Sequence, residues 1–264
     1  MKYKAGFIGA GNMGGALLRA VVNAAGKDSV VFYDPDSSKA DETQKETGAA
    51  YAFSESVCSE SKFVFIGVKP NIVGKVLDSL SNSFSDDTVI VSMAAGTSIS
   101  EIESHVGSEK KIIRIMPNTP ASVGAGMILY AANSNVTEGD EKEFLEIMKK
   151  TGVIDKLDEK LIDAAAALSG CGPAFVYMFI EALADGAVAC GLPREKAMLY
   201  AKQTVLGASK LAIVSDKHPG ALKDSVCSPG GTTIEGVLAL EDGAFRGTCA
   251  SAVVAAYEKT KRLK

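Results

Sequence analysis

A glycine turn, two threonines and an apolar helical pattern follow one another within residues 224–242, DSVCSPGGTTIEGVLALED. Pro229, Gly230 and Gly231 predict a tight turn, and Thr232 and Thr233 come directly after it. The apolar residues behind them recur at helical spacing: Ile234, Val237, Leu238 and Leu240. A helix start presents backbone N–H groups without partners, and these bind anions such as carboxylate. With two hydroxyls beside them, the residues predict a site for a small carboxylic acid with one more polar atom.

A second glycine-rich segment lies near the beginning of the chain. Residues 9–14 have the sequence GAGNMG, so that Gly14 completes a G-x-G-x-x-G pattern between an apolar run and a helical pattern. Such glycines allow a tight turn, the approach of a pyrophosphate and close packing of helix on strand. Asp34 closes the second strand about twenty residues later, where an acidic side chain accepts hydrogen bonds from an adenosine ribose. The segment predicts dinucleotide binding; a purely structural turn is the alternative.

The choice between dinucleotides depends on the residues around Asp34. A carboxylate there favours NADH and repels the 2′-phosphate of NADPH. Ser37, Ser38 and Lys39 follow closely and could hold such a phosphate. Asp34 could also cap the helix that follows Pro35, and the two roles do not exclude each other. We expect NADPH or NADH as the cofactor, with a modest lean toward NADH from these residues.

Three further loops end predicted parallel strands: residues 67–71 (GVKPN), 93–96 (MAAG) and 116–120 (MPNTP). Ligands of doubly wound sheets bind at this edge, where small residues let a nicotinamide ring lie close to the backbone. Lys69 is either a cofactor contact or a surface lysine. Two prolines stiffen the third loop, so Asn118 and Thr119 suit a floor under the reacting atoms. A rigid connection between domains is the alternative for that loop.

The composition limits the partners of this chain of 264 residues. Its net charge is -4 without a block of like charge, which argues against a nucleic acid or an anionic membrane. Five scattered cysteines and two histidines favour reduced thiols in a cytosol and predict no metal site. The first strand pattern begins at Lys4, so we expect no signal peptide. The Ala-rich helical segments carry charged residues and glycine too often to span a bilayer. We therefore expect a soluble, cytoplasmic protein.

The order of apolar patterns predicts two domains. In residues 1–157, short Val- and Ile-rich runs alternate with candidate helices at 12–25, 37–47, 71–80 and 98–106, which indicates a doubly wound parallel sheet. The runs GMILYAA and VIDKL extend that sheet. Residues 158–264 contain only helical patterns, so the C-terminal domain is expected to be all-α. The segment 173–189 is apolar nearly all round, which suggests burial against a second subunit; the central helix of a monomeric bundle is the alternative.

The chain resembles the pyrroline-5-carboxylate reductases along its whole length. The shared motifs are FIGAGNMGGAL, GVKP, MAAG, MPNTP, LSGCGPAFVY, EALADGAVACGLPR, HPGALKDSV and SPGGTTIEGVLALEDGAFR. The resemblance implies reduction of L-1-pyrroline-5-carboxylate, a cyclic imino acid, to L-proline by hydride transfer from NADPH or NADH, the last step of proline biosynthesis. It also implies a Rossmann-type domain followed by a helical dimerisation domain, in a homodimer that often belongs to a decamer of five dimers.

The resemblance also implies site residues. The family's cofactor contacts fall on Ile8, Gly9, Ala10, Gly11, Asn12, Met13, Ser54, Gly67, Val68, Lys69, Pro70, Met93, Ala94 and Ala95. Its substrate contacts fall on Glu159, Thr232 and Thr233, and Glu159 is otherwise an acidic first-turn residue. In many members of the family an asparagine reaches the cofactor from the helical domain. This chain has Ser225 at that position. Ser225 is therefore our candidate for this cofactor contact, and the resemblance leaves open how a serine makes it.

Hydride transfer to a cyclic imine needs orientation more than a strong general acid. In this reading Ser228 and Gly230 to Thr233 hold the carboxylate, and Thr233 is the candidate catalytic residue, bonding the ring nitrogen through Oγ. N-capping is the alternative for both threonines. His218 is expected to start a helix and Cys227 to be a spectator. A β-hydroxyacid dehydrogenase is one alternative, but it would need a lysine as proton donor in the segment SGCGPAFVYMFIEAL, which contains none. A non-catalytic dinucleotide-binding paralogue is a further alternative.

Overall fold

The computed structural model describes residues 1–262. Its eight strands are β1 Tyr3–Ile8, β2 Val30–Tyr33, β3 Ala50–Tyr51, β4 Ser61–Ile66, β5 Val89–Ser92, β6 Lys111–Met116, β7 Gly126–Ala132 and β8 Gly152–Lys156. The helices of the sheet region are α1 Asn12–Ala25, α2 Ser37–Thr47, α3 Ser54–Glu60, α4 Val73–Leu80, α5 Ile99–Val106, α6 Glu138–Met148 and α7 Glu159–Ser169. The remaining helices are α8 Gly172–Ala189, α9 Arg194–Val214, α10 Pro219–Ser225, α11 Thr232–Asp242 and α12 Phe245–Lys261.

The strands form one sheet in the order β3-β2-β1-β4-β5-β6-β7-β8. All neighbours are parallel except β6 and β7. The predicted doubly wound sheet, its extension by β7 and β8, and the bounds of α1 and α2 are therefore confirmed. The prediction lacked β3 and α3, because β3 is two residues long and α3 is a short, mostly polar segment.

Both faces of the sheet are buried at strands β1, β2 and β4 to β7, as expected for parallel strands covered by helices. On one face the rings of Phe7 and Phe65 stack at a centroid distance of 4.5 Å, on neighbouring strands. Leu17 of α1 covers this face, and Leu77 of α4 and Ile102 of α5 belong to the cluster on the other. The sheet is thus a rigid platform that fixes the loops at its carboxyl edge.

The described chain forms two compact units. The first comprises Met1–Cys171 with the chain end from Tyr257, and the second comprises Gly172–Ala256. Helix α7, which we assigned to the helical domain, packs on β7 of the first unit. The domain boundary between residues 157 and 158 stays a prediction. The second unit is all-α, as expected.

The helical unit has almost no core within one chain. Its buried cluster consists of the alanines 184, 197 and 201. On α8, Tyr177 is 59% exposed and Met178 is 70% exposed. The stretch Glu159–Ala189 is long and apolar enough to cross a bilayer by length and composition, so our prediction that no segment meets those criteria is too broad. A helix buried between subunits has the same composition.

Candidate active site

The glycine loop after β1 is held by close backbone contacts. The Gly9 N–H donates to the Tyr33 carbonyl at 2.8 Å, and Gly9 has a φ of 96°, in the left-handed region. A Cβ on Gly14 would lie 2.3 Å from the Gly9 carbonyl oxygen, and a Cβ on Gly67 would lie 2.7 Å from it. The three glycines are therefore required for packing between the loop, α1 and the end of β4.

The start of α1 is open to a ligand. Gly11 is its N-cap, makes no side-chain cap hydrogen bond, and has open space around the position of a Cβ. Ile8 and Ala10 are buried behind it, whereas Asn12 is exposed at the first helical position. Free N–H groups at a helix start without side-chain cover fit the pyrophosphate of a dinucleotide.

Asp34 is tied to this loop. Its Oδ2 accepts a hydrogen bond from the Ala10 N–H at 2.7 Å, and its Oδ1 accepts one from the Asp36 N–H at 2.9 Å. The N-cap of α2 is Asp36, which accepts from the backbone N–H groups of Ser38 and Lys39. The alternative that Asp34 caps α2 is therefore wrong, because the cap lies two residues later. Its contact with a ribose stays a prediction.

The other predicted cofactor residues of the first unit also follow strand ends. Lys69 and Pro70 are exposed beyond β4, and Ala94 is buried beyond β5. These strands are neighbours in the sheet, so their loops lie at one edge. Ser54 begins α3, and its hydroxyl donates to Glu55. Gly67, Val68, Met93 and Ala95 follow the same two strands and lie at the same edge of the sheet. Their contacts with a cofactor stay predictions.

Asn118 connects two elements of the first unit. Its Nδ2 donates to the Ser169 carbonyl at 2.9 Å, and its Oδ1 accepts from the Met127 N–H at 2.9 Å. The side chain thus joins the end of α7 to the start of β7 within the first unit, and the alternative of a connection between domains stays a prediction. A cofactor contact by Asn118 stays a prediction.

Glu159 is the first residue of α7 and follows the N-cap Asp158. Its Oε1 accepts from the Ile99 N–H at 2.7 Å and from Arg114 Nη1 at 3.2 Å. The interpretation as an acidic first-turn residue is confirmed; the substrate contact stays a prediction. Arg114 was not predicted from the sequence, although an arginine inside the apolar run KIIRIM indicates a buried ion pair.

The turn before α11 has the predicted geometry. The Gly231 N–H donates to the Ser228 carbonyl at 3.0 Å, and Gly230 has a φ of 67°. Gly231 is the N-cap, and a Cβ there would lie 2.3 Å from Ser228 Oγ. Since Thr232 and Thr233 are the first two helical residues, the alternative that they are N-caps is wrong. Both are exposed, and within residues 1–262 neither hydroxyl makes a hydrogen bond.

The segment before this turn is also ordered by local bonds. His218 caps α10 and accepts from the Gly220 N–H at 3.1 Å, which confirms its interpretation as a helix-start residue. Ser225 ends α10, and its Oγ donates to the Leu222 carbonyl at 2.7 Å. Cys227 is half-buried with a free thiol. The described residues contain no cluster of three or more potential metal ligands.

Two family models match the chain. Residues 159–263 match the model for pyrroline-5-carboxylate reductase dimerisation. Residues 4–96 match the model for NADP oxidoreductase, coenzyme F420-dependent. The first match begins at Glu159 and includes the open turn at Gly230 and Gly231, and the second includes the glycine loop.

Curated relatives extend over the full chain. The pyrroline-5-carboxylate reductase of Escherichia coli K12 is 41% identical over 267 residues, which cover 100% of this chain and 99% of the relative. The enzyme of the same name from Arabidopsis thaliana is 42% identical over 265 residues, covering 99% and 95%.

Solved structures show the same architecture. The Plasmodium falciparum pyrroline carboxylate reductase with NADP bound has a TM-score of 0.89 and 38% identity, covering 99% of this chain and 98% of that one. The pyrroline-5-carboxylate reductase from Coxiella burnetii has a TM-score of 0.91 and 31% identity, covering 100% and 99%. This chain therefore belongs to the pyrroline-5-carboxylate reductase family.

Proposed function

We propose that the protein reduces L-1-pyrroline-5-carboxylate to L-proline with NADPH or NADH, as the last step of proline biosynthesis. The observation that carries the proposal is the open turn at Gly230 and Gly231, followed by two exposed threonine hydroxyls without partners in the described chain. A carboxylate and one further polar atom fit such a helix start. Family membership over the full length supports the choice of this imino acid.

The carboxyl edge of the first unit suits NAD(P)H. The open helix start at Gly11 would hold the pyrophosphate, and the loops after β4 and β5 would contact the nicotinamide half. Bound there, the cofactor would supply a hydride from C4 of the nicotinamide. The protein's task is to orient the reacting atoms about 3–3.5 Å apart.

The helical unit supplies the groups for the substrate. In our proposal the free backbone N–H groups at the start of α11 and the Ser228 hydroxyl bind its carboxylate, since the Gly231 N–H already donates within the turn. Thr233 Oγ would accept a hydrogen bond from the ring nitrogen, which binds as the protonated imine and keeps that proton in the product. The hydride adds to the imine carbon while the C=N π electrons move to nitrogen, so the products are L-proline and the oxidised cofactor. Glu159 is a secondary candidate for a contact with the substrate, and Ser225 is one for a contact with the cofactor.

We also propose that the protein works as a soluble cytoplasmic homodimer, in a decamer of five dimers. The exposed apolar side chains of α8 support a partner subunit, because Tyr177 and Met178 lack cover within one chain. The match to a dimerisation model over the same helices agrees with this. Helix α8 contains no lysine that could serve a hydroxyacid dehydrogenase.

The test is consumption of the reduced cofactor at 340 nm. Purified protein with NADPH or NADH should show an absorbance loss that depends on added pyrroline-5-carboxylate, together with an equal amount of L-proline. A chain that binds cofactor but shows no substrate-dependent loss with either form would contradict the proposal.

A further inference from the structure

Arg114 lies inside the sheet of the first unit and is 2% exposed. It stands on β6, paired in register with Ser92 of β5 and Ala131 of β7. Burying a guanidinium is costly unless charged partners bind it. Two carboxylates of α7 do so: Nη1 donates to Glu159 at 3.2 Å and Nη2 donates to Asp163 at 2.6 Å.

Of the two carboxylates, that of Glu159 also bonds the backbone at the start of α5. The oxygen of Glu159 that accepts from Arg114 also accepts from the Ile99 N–H, at 2.7 Å. Ile99 is the first residue of α5 and follows Gly96, which ends the MAAG loop, by three positions. The guanidinium is thereby linked through one carboxylate oxygen to the backbone that leaves the predicted nicotinamide loop.

The loop itself is held by burial and backbone conformation more than by strong hydrogen bonds. Ala94 is buried, and Gly96 has a φ of 80°, a conformation that favours glycine. The Ala94 N–H donates to Ser92 Oγ at 3.4 Å, a long bond that constrains it weakly. The strong bond to a charged acceptor lies at the exit of the loop, at Ile99. Fixing that exit sets where the Met93–Ala95 backbone lies.

We infer that Arg114 is a positioning residue for the cofactor: by holding the Glu159 carboxylate on the Ile99 N–H, it fixes the Met93–Ala95 segment for the nicotinamide half. The inference rests on the proposed function in requiring NAD(P)H at this edge. It gives Glu159 a role toward the cofactor that is made through the backbone, beside its proposed contact with the substrate.

Glu159→Ala and Asp163→Ala form a matched pair, because each removes one carboxylate of α7 from Arg114. Only the first also removes the acceptor of the Ile99 N–H. We measure the Kd of NADPH by titrating its fluorescence without substrate, and thermal unfolding in parallel. Both variants should unfold at lower temperature. Glu159→Ala should raise the Kd about fivefold or more, whereas Asp163→Ala should change it by less than about twofold.

Glu159→Gln provides a rescue, since its amide oxygen can still accept from Ile99 and its shape is nearly unchanged. It should recover most of the lost affinity for NADPH, and it keeps the test decisive if the alanine variant does not fold. Equal Kd values for the two alanine variants, or for Glu159→Gln and Glu159→Ala, would overturn the inference. So would an unchanged Kd in Glu159→Ala with a raised KM for the imino acid alone. Because the titration needs no turnover, failure of the reductase assignment would show separately, in the wild-type assay.

Discussion

The carboxylate of Asp34 accepts a hydrogen bond from the backbone N–H of Ala10, with 2.7 Å between Oδ2 and the nitrogen. The end of β2 is thus bonded to the glycine loop between β1 and α1. The second oxygen of Asp34 accepts from Asp36. One side chain therefore holds the predicted pyrophosphate loop, and its contact with a ribose is a separate prediction.

Replacing Asp34 with serine separates these two roles. We expect the KM of both cofactors to rise because the loop loses its tie. NADH should suffer more because it also loses a charged ribose acceptor, so the preference should shift toward NADPH by about tenfold. Steady-state kinetics with both cofactors measures the ratio, and Asp36→Ser, which keeps a capping side chain, is the control. An unchanged ratio would show that Asp34 serves only the loop.

Thr233 is the residue on which the proposed chemistry depends most. Thr233→Val keeps the volume and removes the hydroxyl, so kcat/KM for the imino acid should fall by roughly 10²-fold if a bond to the reacting nitrogen is lost. Thr233→Ser retains the hydroxyl and should stay much closer to the wild type. Kinetics of Thr233→Val near those of the wild-type protein would remove Thr233 from the mechanism.

Asp140 couples the stability of the first unit to pH. Burial would raise its pKa, but the hydrogen bonds from Lys62, Thr137 and Lys111 outweigh burial and hold the pKa of the carboxyl well below its usual range. The side chain is 4% exposed and pairs with Lys62 at 2.5 Å and Lys111 at 3.0 Å. A lowered pKa means that the stabilisation is present above the pKa of the unfolded chain and is lost as the pH falls below it.

Asp140→Asn should therefore lower the free energy of unfolding at pH 7 by roughly 2–4 kcal/mol, since it leaves two lysines without their buried partner. The gap to the wild type should narrow as the pH falls below about 4. Urea denaturation at a series of pH values measures the free energy of unfolding of both proteins. The protein concentration is kept fixed because association affects the apparent stability. Asp86→Asn, which removes an exposed partner of Lys110, should change little at any pH. A gap that does not depend on pH would contradict this account.

The apolar surface of α8 predicts the effect of breaking the oligomer. Met178→Asp should place a charge in a subunit interface, so light scattering should show a shift toward monomer and activity should fall at least about tenfold. Val153→Asp is the control, because Val153 is 64% exposed on β8 of the first unit. A fully active monomer would contradict a site that depends on association.

Local patterns in the sequence predicted much of this fold. The strand-helix alternation and the bounds of α1 and α2 follow from hydrophobic period and glycine punctuation. The turn at Gly230 and Gly231 could also be predicted, because residues that are neighbours in the sequence set its geometry. Strand β3 could not be predicted in this way, because its two residues form a strand only by pairing with β2.

Long-range partners explain what the sequence could not predict. Glu159 carries an acidic first-turn signal, but its bonds go to Ile99 and Arg114, 60 and 45 positions away. Asn118 in the same way meets Ser169, 51 positions away. No periodicity encodes such pairs, which become visible only when the strands have been ordered.

The proposed reaction transfers a hydride directly from the cofactor to the imine carbon. The most direct measurement supplies pyrroline-5-carboxylate and NADPH that carries two deuterium atoms at nicotinamide C4 to the purified protein, and analyses the product by mass spectrometry. We expect L-proline that contains one deuterium, bound to the ring carbon that was the imine carbon. Unlabelled proline, or no proline from protein that binds NADPH, would contradict it.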